Sequence, residues 1–266
     1  MLLTRAFDER IRRSELDGIR NGLATVARLF PDAELASAEI AGGVARYSSI
    51  EPTFSQAFGV GIGVAVSDDD VARLTEFYAT RNATARVLVT PLADPTLAPK
   101  LAAAGYVPTE YENVLISDRF EPYAARDGRV TVAADVGAWA RASAQAFSDA
   151  EELAPGGDRI ALILAKSAGV VALELREDDA IASTAALDVR GDFAVFFAGS
   201  TLPQCRGRGL HLALIRDRIA RARDAGARLM RAYARPDSAS ERNFHRCGFS
   251  VLYTRTMWEK PPHLAT

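Results

Sequence analysis

The sequence predicts an α/β protein built from two similar units in tandem, and three observations lead to that prediction. The chain has 266 residues, a length that accommodates one large domain or two compact ones. Residues 87–116 and 230–259 match when shifted by 143 positions, and both read as strand, loop, short helix, Gly-aromatic turn and strand. A segment rich in Pro, Gly and charge, residues 120–128, separates the halves. We therefore expect domains at 1–122 and 123–266.

The composition excludes several classes of protein. Hydrophobic residues make up 48% and charged residues 25% of the chain, which excludes a disordered, collagen-like or coiled-coil protein. The net charge of −2 gives no sign of nucleic acid or of an anionic membrane as a partner. No apolar run approaches the roughly 18–20 residues of a membrane helix. Residues 1–13 also lack the apolar block of a signal peptide.

The cysteine and histidine content bears on compartment and on metals. The two cysteines, Cys205 and Cys247, cannot form a disulfide framework and fit a reducing cytoplasm. We therefore expect a cytoplasmic protein. The three histidines, His211, His245 and His263, form no metal-ligand pattern with these cysteines, so no metal site is expected.

The first half contains a glycine-rich stretch at 59–63, followed by a helix predicted to end near Tyr78. Its spacing is G-x-G-x-G, whereas a dinucleotide fingerprint needs G-x-G-x-x-G and an acidic residue about 20 positions downstream. Ser67 or Asp68 is expected to cap the helix. The three aspartates at 68–70 favour the helix dipole but would repel a pyrophosphate. We expect this half to hold no cofactor and to pack against the second half.

The second half is expected to begin with a strand at 130–134. A helix then starts at the N-cap residue Asp135 and ends at Phe147. A loop at 151–158 follows, because Pro and two glycines occur together there. Three strands come next, at 170–175, 180–189 and 193–199.

A long helix is predicted after the third of these strands. The apolar residues that recur at helical spacing are Leu212, Ile215, Ile219 and Ala222. The same spacing turns four arginines mostly toward water: Arg216, Arg218, Arg221 and Arg223. Gly226 ends the helix as its C′ residue.

The remainder of the second half predicts a strand, a helix and a last strand. The first strand covers 228–234. Ser238 and Glu241 form an S-x-x-E capping box that starts a helix ending near Cys247. The final strand covers 251–259.

The stretch 199–211 (GSTLPQCRGRGLH) carries the strongest functional signal, because it links an apolar strand to the start of the long helix. Gly207 and Gly209 allow a tight turn and a close backbone approach to a ligand. The first amides of a helix have no partner within it and lie at the positive end of its dipole. With the charges of Arg206 and Arg208, this pattern predicts a seat for a phosphate-type anion. A plain tight turn with two surface arginines is the alternative.

Residues 204–209 (QCRGRG) match the Q/R-x-x-G-x-G/A acetyl-CoA signature of the GNAT acyltransferases. Over residues 130–260 the predicted order of elements also resembles that family. The motifs at 238–243 and Gly248-Phe249 resemble a bacterial subset with two GNAT units in tandem. The resemblance implies two GNAT-like domains, each with a mixed, mostly antiparallel sheet flanked by helices. The first would be degenerate, without a pyrophosphate loop.

The resemblance implies an acetyl-CoA site in the second unit. Thr201 and Leu202 would pair through their backbone with the pantetheine arm, and amides of residues 206–211 would hold the pyrophosphate. Ser238 and Asn243 would contact the cofactor. The alternative for Ser238 is that it serves only as an N-cap, and the alternative for Asn243 is that it lies on the helix surface without a ligand. The residues expected to bind acetyl-CoA are Thr201, Leu202, Arg206, Gly207, Arg208, Gly209, Leu210, His211, Ser238, Asn243 and Phe244.

The sequence departs from the family at the general acid. Many members carry a tyrosine four residues before the Gly-Phe pair, where it can protonate the departing thiolate, and this chain has Phe244 there. A free thiol has a pKa of about 8.5, and general acid help is worth about 10²–10⁴-fold. Its loss would slow transfer without preventing it. Tyr253 is the expected substitute; Tyr233, Ser240, water, or a packing role for Tyr253 are the alternatives.

An amine acceptor must lose a proton before it attacks the thioester. Glu152, with its neighbours Asp149 and Glu151, lies on the segment that borders the acceptor in this family, and Glu152 is the expected base. Glu174 and Asp188, in the central strands, are further candidates for a base or for attracting a cationic substrate. A solvated carboxylate is the alternative for each. Backbone amides at the end of the apolar strand would polarise the carbonyl.

Together these features predict an N-acetyltransferase that moves an acetyl group from acetyl-CoA to a primary amine of a small molecule by direct attack. The alternatives are a non-catalytic acyl-CoA-binding or regulatory protein and a protein or peptide N-acetyltransferase. Internal pairing of the two halves predicts a monomer, with a homodimer as the alternative.

Overall fold

The computed structural model describes residues 5–122, 126–149 and 152–262, and in these ranges it contains seven α-helices and eleven strands. The helices are α1 (Arg5–Leu29), α2 (Asp68–Ala79), α3 (Leu97–Ala103), α4 (Val136–Ser148), α5 (Arg159–Lys166), α6 (Leu210–Asp224) and α7 (Ala239–Arg246). The strands are β1 (Leu35–Ile40), β2 (Gly43–Ser48), β3 (Ala57–Phe58), β4 (Ala85–Val89), β5 (Val107–Ser117), β6 (Val130–Val132), β7 (Val170–Glu177), β8 (Ala180–Arg190), β9 (Phe193–Thr201), β10 (Leu229–Ala234) and β11 (Ser250–Lys260).

The chain divides into two compact units, and the division differs from the contiguous boundary that the composition suggested. Unit 1 comprises residues 1–112 and 253–266, and unit 2 comprises residues 113–252. Most of β11 belongs to unit 1 because its residues from Thr256 pair with β4. The end of β5 belongs to unit 2 because it pairs with β10. These pairings join positions far apart in the chain, so no local composition signal marks them.

Unit 1 has the strand order β1-β2-β3-β4-β11. Neighbouring strands run antiparallel, except that β3 and β4 are parallel. Its core joins Val71, Leu74 and Tyr78 of α2 to Leu97 and Leu101 of α3. Two helices thus cover a short, mostly antiparallel sheet.

Unit 2 has the strand order β5-β10-β9-β8-β7-β6, and only the pair β9 and β10 is parallel. Side chains alternate between the two faces of each strand. On β7, Leu173 therefore packs with Leu214 of α6, while Ala172 packs with Trp139 of α4 and Ala161 of α5. This arrangement confirms the predicted mixed fold with a mostly antiparallel sheet flanked by helices.

The predicted repeat is present in the structure. The elements β4, α3 and β5 correspond to β10, α7 and β11 at an offset of 143 residues, and the last two strands coincide residue for residue. Gly105 and Gly248 occupy equivalent turns, with φ of +86° and +81°. In each repeat a helix precedes these three elements. Helix α2 follows β3, which runs parallel to β4, and helix α6 follows β9, which runs parallel to β10.

Helix α6 is buried over most of its surface, and this corrects one prediction. Arg218 was expected to face mostly water, yet it and Asp217 are fully buried. The helix packs along two neighbouring core clusters, through Ile219 in one and Leu214 in the other, so its buried face is wider than the apolar spacing indicates. Arg216 is exposed as predicted.

Among the described residues, no helix is long and apolar enough to cross a membrane.

Candidate functional site

The end of strand β9 in unit 2 carries a bulge. Thr184 of β8 lies opposite Ser200 of β9, and Ala186 of β8 lies opposite Phe197 of β9. The two β8 residues are two positions apart, whereas the two β9 residues are three positions apart. Strand β9 therefore contains one extra residue in this interval. Ala198 has a φ of +49°, in the left-handed region that L-residues seldom adopt. Such a bulge bends a strand and interrupts its ladder, and bulges are frequent beside functional sites.

Beyond this bulge β9 separates from β10. Their parallel pairing ends at Phe196 and Ala232, although β9 continues to Thr201 and β10 to Ala234. Residues 197–201 thus have no β10 residue in register. The edge of β9 on that side is available for an extended ligand, which can bind to it through backbone hydrogen bonds.

The open strand edge leads into the start of α6. The N-cap residue is Gly209, and no side chain caps the helix. Gly207 and Gly209 have φ of +78° and +77°, and a Cβ at either position would meet no described atom within 4 Å outside its neighbours. The first amide to bond within the helix is that of Ala213, which donates to the Gly209 carbonyl at 3.0 Å. The preceding amides can therefore bind an anion at the positive end of the helix dipole.

Strand edge and helix start border one cleft of about 740 Å³. Its lining comes from the end of α4, the end of β9, the glycine loop and the facing side of α7. The residues that line it include Phe147, Gly199, Ser200, Thr201, Arg206, Gly207, Gly209, Leu210, His211, Arg235, Ser238, Ser240, Asn243 and Arg246.

Arg206 and Arg208 lie on the loop but bind other parts of unit 2. Arg206 donates through Nη2 to the Ala146 carbonyl at 3.0 Å and forms an ion pair with Asp149. Arg208 forms an ion pair with Glu177 at 2.8 Å. These contacts fix the loop, and both guanidinium groups are partly neutralised by carboxylates.

Thr201 and Leu202, where β9 ends, differ in their contacts. Thr201 lines the cleft, and its hydroxyl lies 2.8 Å from that of Ser183. The Leu202 amide donates to the Ala182 carbonyl at 3.0 Å, and its carbonyl accepts from Cys205 at 2.9 Å. The Leu202 backbone is therefore engaged within the protein. The Thr201 carbonyl is engaged as well, because it accepts from Arg206 Nε at 3.1 Å.

A chain of polar contacts orients His211 at the base of the cleft. Arg246 Nη1 donates to Asn243 Oδ1 at 2.9 Å, which directs the Asn243 amide nitrogen to His211 Nδ1 at 3.2 Å. His211 Nδ1 accepts this bond, so its proton resides on Nε2. Burial, followed by the nearby charge of Arg218, lowers the pKa of His211 to about 3. The imidazole is therefore neutral and presents an N–H donor.

Ser238 caps α7 and also lines the cleft. Its hydroxyl accepts from the Glu241 amide at 3.1 Å, which is half of the predicted capping box. The other half is absent, because the Glu241 carboxylate accepts from the Asp237 amide at 2.6 Å and from Asn113 Nδ2 at 2.5 Å. Asn113 is distant in sequence, so local spacing could not reveal this partner.

Phe244 is almost fully buried beneath the cleft. Its ring centre lies 5.0 Å from that of Phe249 and 6.5 Å from that of Phe196. The ring centre of His211 lies 6.0 Å away, and the two rings are nearly perpendicular. The side chain therefore supports the floor of the site and has no proton to donate.

Most of the described residues that were predicted to transfer protons do not line the cleft. Tyr253 is mostly buried and belongs to unit 1. Glu152 is exposed and is not among the described residues that line the cleft, and Glu151 lies outside the described residues. Ser240 lines the cleft, whereas Tyr233 of β10 contacts the buried Arg231.

A second, basic pocket of about 780 Å³ shares Gly209 and Leu212 with the cleft. Its arginines are Arg126, Arg129, Arg208 and Arg216. Local sequence patterns did not indicate that these four arginines form a cluster, or that Arg235 and Arg246 line the cleft, because their positions converge only in the fold.

The equivalent loop of unit 1 is filled by the chain itself. Ser67 and Asp70 form a complete capping box at the start of α2, as Ser67 was predicted to do. The Asp94 carboxylate accepts from the Val66 amide at 2.8 Å. A Cβ at Gly61 would lie 2.9 Å from the Val66 side chain.

In the part of the chain that the structure describes, no cluster of three or more His, Cys, Asp or Glu side chains could hold a metal ion. No protein-family model matches the sequence, and no curated protein matches it.

Solved structures do resemble this chain. A GCN5-related N-acetyltransferase from Kribbella flavida superposes with a TM-score of 0.68 at 20% identity, covering 96% of each chain. The chain has the GNAT fold. A tandem GNAT protein from the clavulanic acid biosynthesis pathway gives a TM-score of 0.59 at 16% identity, covering 90% of this chain and 87% of its own. A GCN5-related N-acetyltransferase from Sphaerobacter thermophilus gives 0.58 at 16%, covering 86% and 76%.

Proposed function

We propose that unit 2 binds acetyl-CoA and transfers its acetyl group to a primary amine of a small molecule. One observation carries this proposal: the open edge of β9 leads directly into a helix start that no side chain caps. The first feature suits the amides of pantetheine, and the second suits a pyrophosphate. The solved structures of this fold that are named N-acetyltransferases add support.

The residues of the cleft fit acetyl-CoA in size and charge. The cleft volume of about 740 Å³ is within the range typical of ligand sites. Amides of residues 207–212 would hold the pyrophosphate. Arg235 and Arg246 line the same cleft and add positive charge. The adjoining pocket with Arg129 and Arg216 offers a place for the third phosphate group of the co-substrate.

A polar row on the α4 side of the sheet suits an amine acceptor. Glu174, Thr184 and Ser200 lie opposite one another on three neighbouring strands. The hydroxyls of Thr184 and Ser200 are 2.7 Å apart, and Ser200 lines the cleft. Glu174 is buried; one carboxylate oxygen binds Arg176, and the other has no partner among the described residues. A cationic amine could bind there and give up its proton.

The chemistry requires few groups of the protein. Acetyl-CoA supplies an activated thioester, which the neutral amine attacks at the carbonyl carbon. The C–N bond forms, the C–S bond breaks, and the amine proton passes to Glu174 or to solvent. Backbone amides at the β9 bulge, around Ala198 and Gly199, would polarise the carbonyl.

Calorimetric titration with acetyl-CoA tests the binding step. We expect micromolar affinity for the wild type and loss of binding in Gly209→Glu, which puts a bulky anion at the helix start. Gly226→Glu is the matched control, because that glycine also has positive φ and open space but lies at the other end of α6. Absence of binding to folded wild type would refute the proposal.

Release of free CoA thiol in the presence of primary amines tests the transfer step. Thiol release that depends on an amine supports the acetyltransferase. Binding of acetyl-CoA without thiol release from any small amine or peptide would establish a non-catalytic acyl-CoA-binding protein instead. Release only with peptides would replace the small-molecule acceptor with a protein one.

A further inference from the structure

Arg218 is a fully buried cation, although the helical spacing predicted that it would face mostly water. Its guanidinium binds only carbonyl oxygens: Nε donates to Leu214 at 3.1 Å, and Nη1 donates to Ala186 at 3.3 Å and to Phe197 at 3.4 Å. The remaining nitrogen, Nη2, has no hydrogen-bond partner among the described residues. Two of these carbonyls belong to the pair of residues at which the β8–β9 register shifts.

No carboxylate binds this guanidinium in the described structure. Asp217 precedes it in sequence, but the Asp217 carboxylate accepts from Arg221 at 2.5 Å. Burial lowers the pKa of Arg218 to about 9, so the side chain is still protonated at neutral pH. A buried charge without a paired counter-ion is costly to fold. Unit 2 therefore holds positive charge in a place where packing alone would favour an apolar side chain.

The free nitrogen of Arg218 faces the bulge. A Cβ at Gly199 would lie 3.4 Å from Arg218 Nη2 and 2.9 Å from His211 Nε2. Two N–H groups thus converge behind a glycine that lines the cleft where β9 leaves β10. The rings of Phe196 and Phe244 pack against the guanidinium, at 4.8 Å and 6.0 Å from its carbon, and keep water away.

We propose that Arg218, together with the Nε2–H of His211, stabilises the negative charge that develops on the CoA sulfur as the C–S bond breaks. This inference rests on the acetyltransferase function proposed above. The electron pair of the C–S bond goes to sulfur, which leaves as a thiolate and takes a proton from solvent afterwards. Phe244 packs against the same guanidinium, so charge stabilisation takes the place of proton donation at this position.

The size of the effect follows from the buried setting. An opposite charge within about 4–6 Å lowers the pKa of an acidic group by about 1–3 units. Screening by water is weak in a buried site, so the influence of the guanidinium reaches the nearby cleft. We expect the thiol of bound CoA to titrate at least about one unit below the thiol of free CoA.

Ultraviolet absorbance of the thiolate measures this directly. Wild-type protein saturated with CoA is titrated with base, and the same protein saturated with desulfo-CoA provides the background from Cys205 and Cys247. We expect the pKa of the bound CoA thiol to be lowered in the wild type, and Arg218→Lys to keep most of that lowering. In Arg218→Met the thiol pKa should lie near that of free CoA. An unshifted thiol on the wild type would overturn the inference, as would an equal shift in Arg218→Met.

A second measurement needs no variant and therefore does not depend on Arg218→Met folding. The ratio of the affinities for CoA and desulfo-CoA is measured by calorimetry between pH 7 and pH 8, where Arg218, with a pKa of about 9, is still protonated. Lowering of the thiol pKa by about one unit predicts that the ratio rises over this range by about two- to threefold. A constant ratio would contradict the role of Arg218 while leaving acetyl-CoA binding intact. Failure of both ligands to bind would instead refute the proposed function.

Discussion

The two units present the same local arrangement, a parallel strand followed by positive-φ glycines and a helix, and yet only one leaves its helix start open. At the start of α2 in unit 1, the Asp70 amide donates to the Ser67 side chain and the Ser67 amide donates to the Asp70 side chain. The Val66 amide donates to the Asp94 carboxylate. In unit 2 the start of α6 has Gly209 as its cap and open space around it. Glycines that permit the turn are therefore common to both. What distinguishes the proposed ligand seat of unit 2 is that no side chain in the described part of the chain caps its helix start.

The sharpest test of this comparison places the same substitution in both loops. Gly207→Glu should weaken acetyl-CoA binding by about 100-fold or more, because the carboxylate competes with and repels the pyrophosphate. Gly63→Glu should leave affinity unchanged. Both glycines have positive φ and open surroundings, with φ of +78° and +71°, so the conformational strain is matched. Calorimetry measures both, and an equal loss in Gly63→Glu would place a second ligand seat in unit 1.

The two units should also respond to acid at different pH. The pKa of His211 is about 3 against an ordinary value of 6.5, so the unfolded state binds a proton first as pH falls. The stability of unit 2 is therefore complete above about pH 6.5 and declines as pH falls toward 3. Hydrogen bonds to the carboxylates lower the pKa of Asp70 and Asp94 below 3.8, so unit 1 should weaken only below about pH 4.

Amide hydrogen exchange at pH 7, 5 and 3.5 can follow α6 and α2 separately. We expect faster exchange in α6 at pH 5 while α2 is unaffected. His211→Gln should abolish the response of α6 between pH 7 and 5. Parallel behaviour of both helices at pH 5 would show that His211 does not govern the acid response.

The two N-cap serines should separate stability from binding. Ser67→Ala and Ser238→Ala each remove a cap and should each cost about 1 kcal/mol of unfolding free energy. Only Ser238 lines the cleft. We therefore expect Ser238→Ala to weaken acetyl-CoA binding a few-fold and Ser67→Ala to leave it unchanged. Chemical denaturation measures the stability and calorimetry measures the affinity on the same preparations. Unchanged affinity of Ser238→Ala for acetyl-CoA would show that Ser238 serves only as a helix cap.

The smallest effect concerns the arginines of the loop. Asp149→Asn and Glu177→Gln each release one partner of an exposed ion pair, with Arg206 or Arg208. Such pairs contribute about 0–1 kcal/mol, so affinity for acetyl-CoA should change by less than about fivefold. If the variant binds acetyl-CoA more tightly and this gain disappears at high salt, the freed arginine binds a phosphate group. A loss of more than tenfold would show that the ion pair is needed to shape the seat.

Local signals in the sequence predicted local features well. Asp135 caps α4 by accepting from the amides of Gly137 and Ala138, as its position suggested. The glycine loop, the end of α6 before Gly226 and the internal repeat were also read from short-range patterns. Each depends on a residue's own conformational preference or on spacing along one helix.

Features that arise from long-range contacts could not be read in this way. The bulge at Ala198 and the separation of β9 from β10 depend on the register of neighbouring strands. The burial of Arg218 depends on core clusters that flank α6 along its length. Arg246 reaches His211 only through Asn243 of the same helix and the fold that brings α7 to α6. The glycine turn and the uncapped start of α6 were therefore predictable, but the groups around them were not.

The placement of β11 has a consequence for the order in which the protein is made. Residues 113–252 of unit 2 are continuous, so they are all available once that stretch has left the ribosome. Unit 1 begins before unit 2 in the sequence but pairs Thr256–Lys260 with Ala85–Val89, and this strand is synthesised after all of unit 2. Domains usually complete folding in the order of synthesis. Here unit 1 can complete its sheet only after residues 256–260, which follow all of unit 2, have been synthesised.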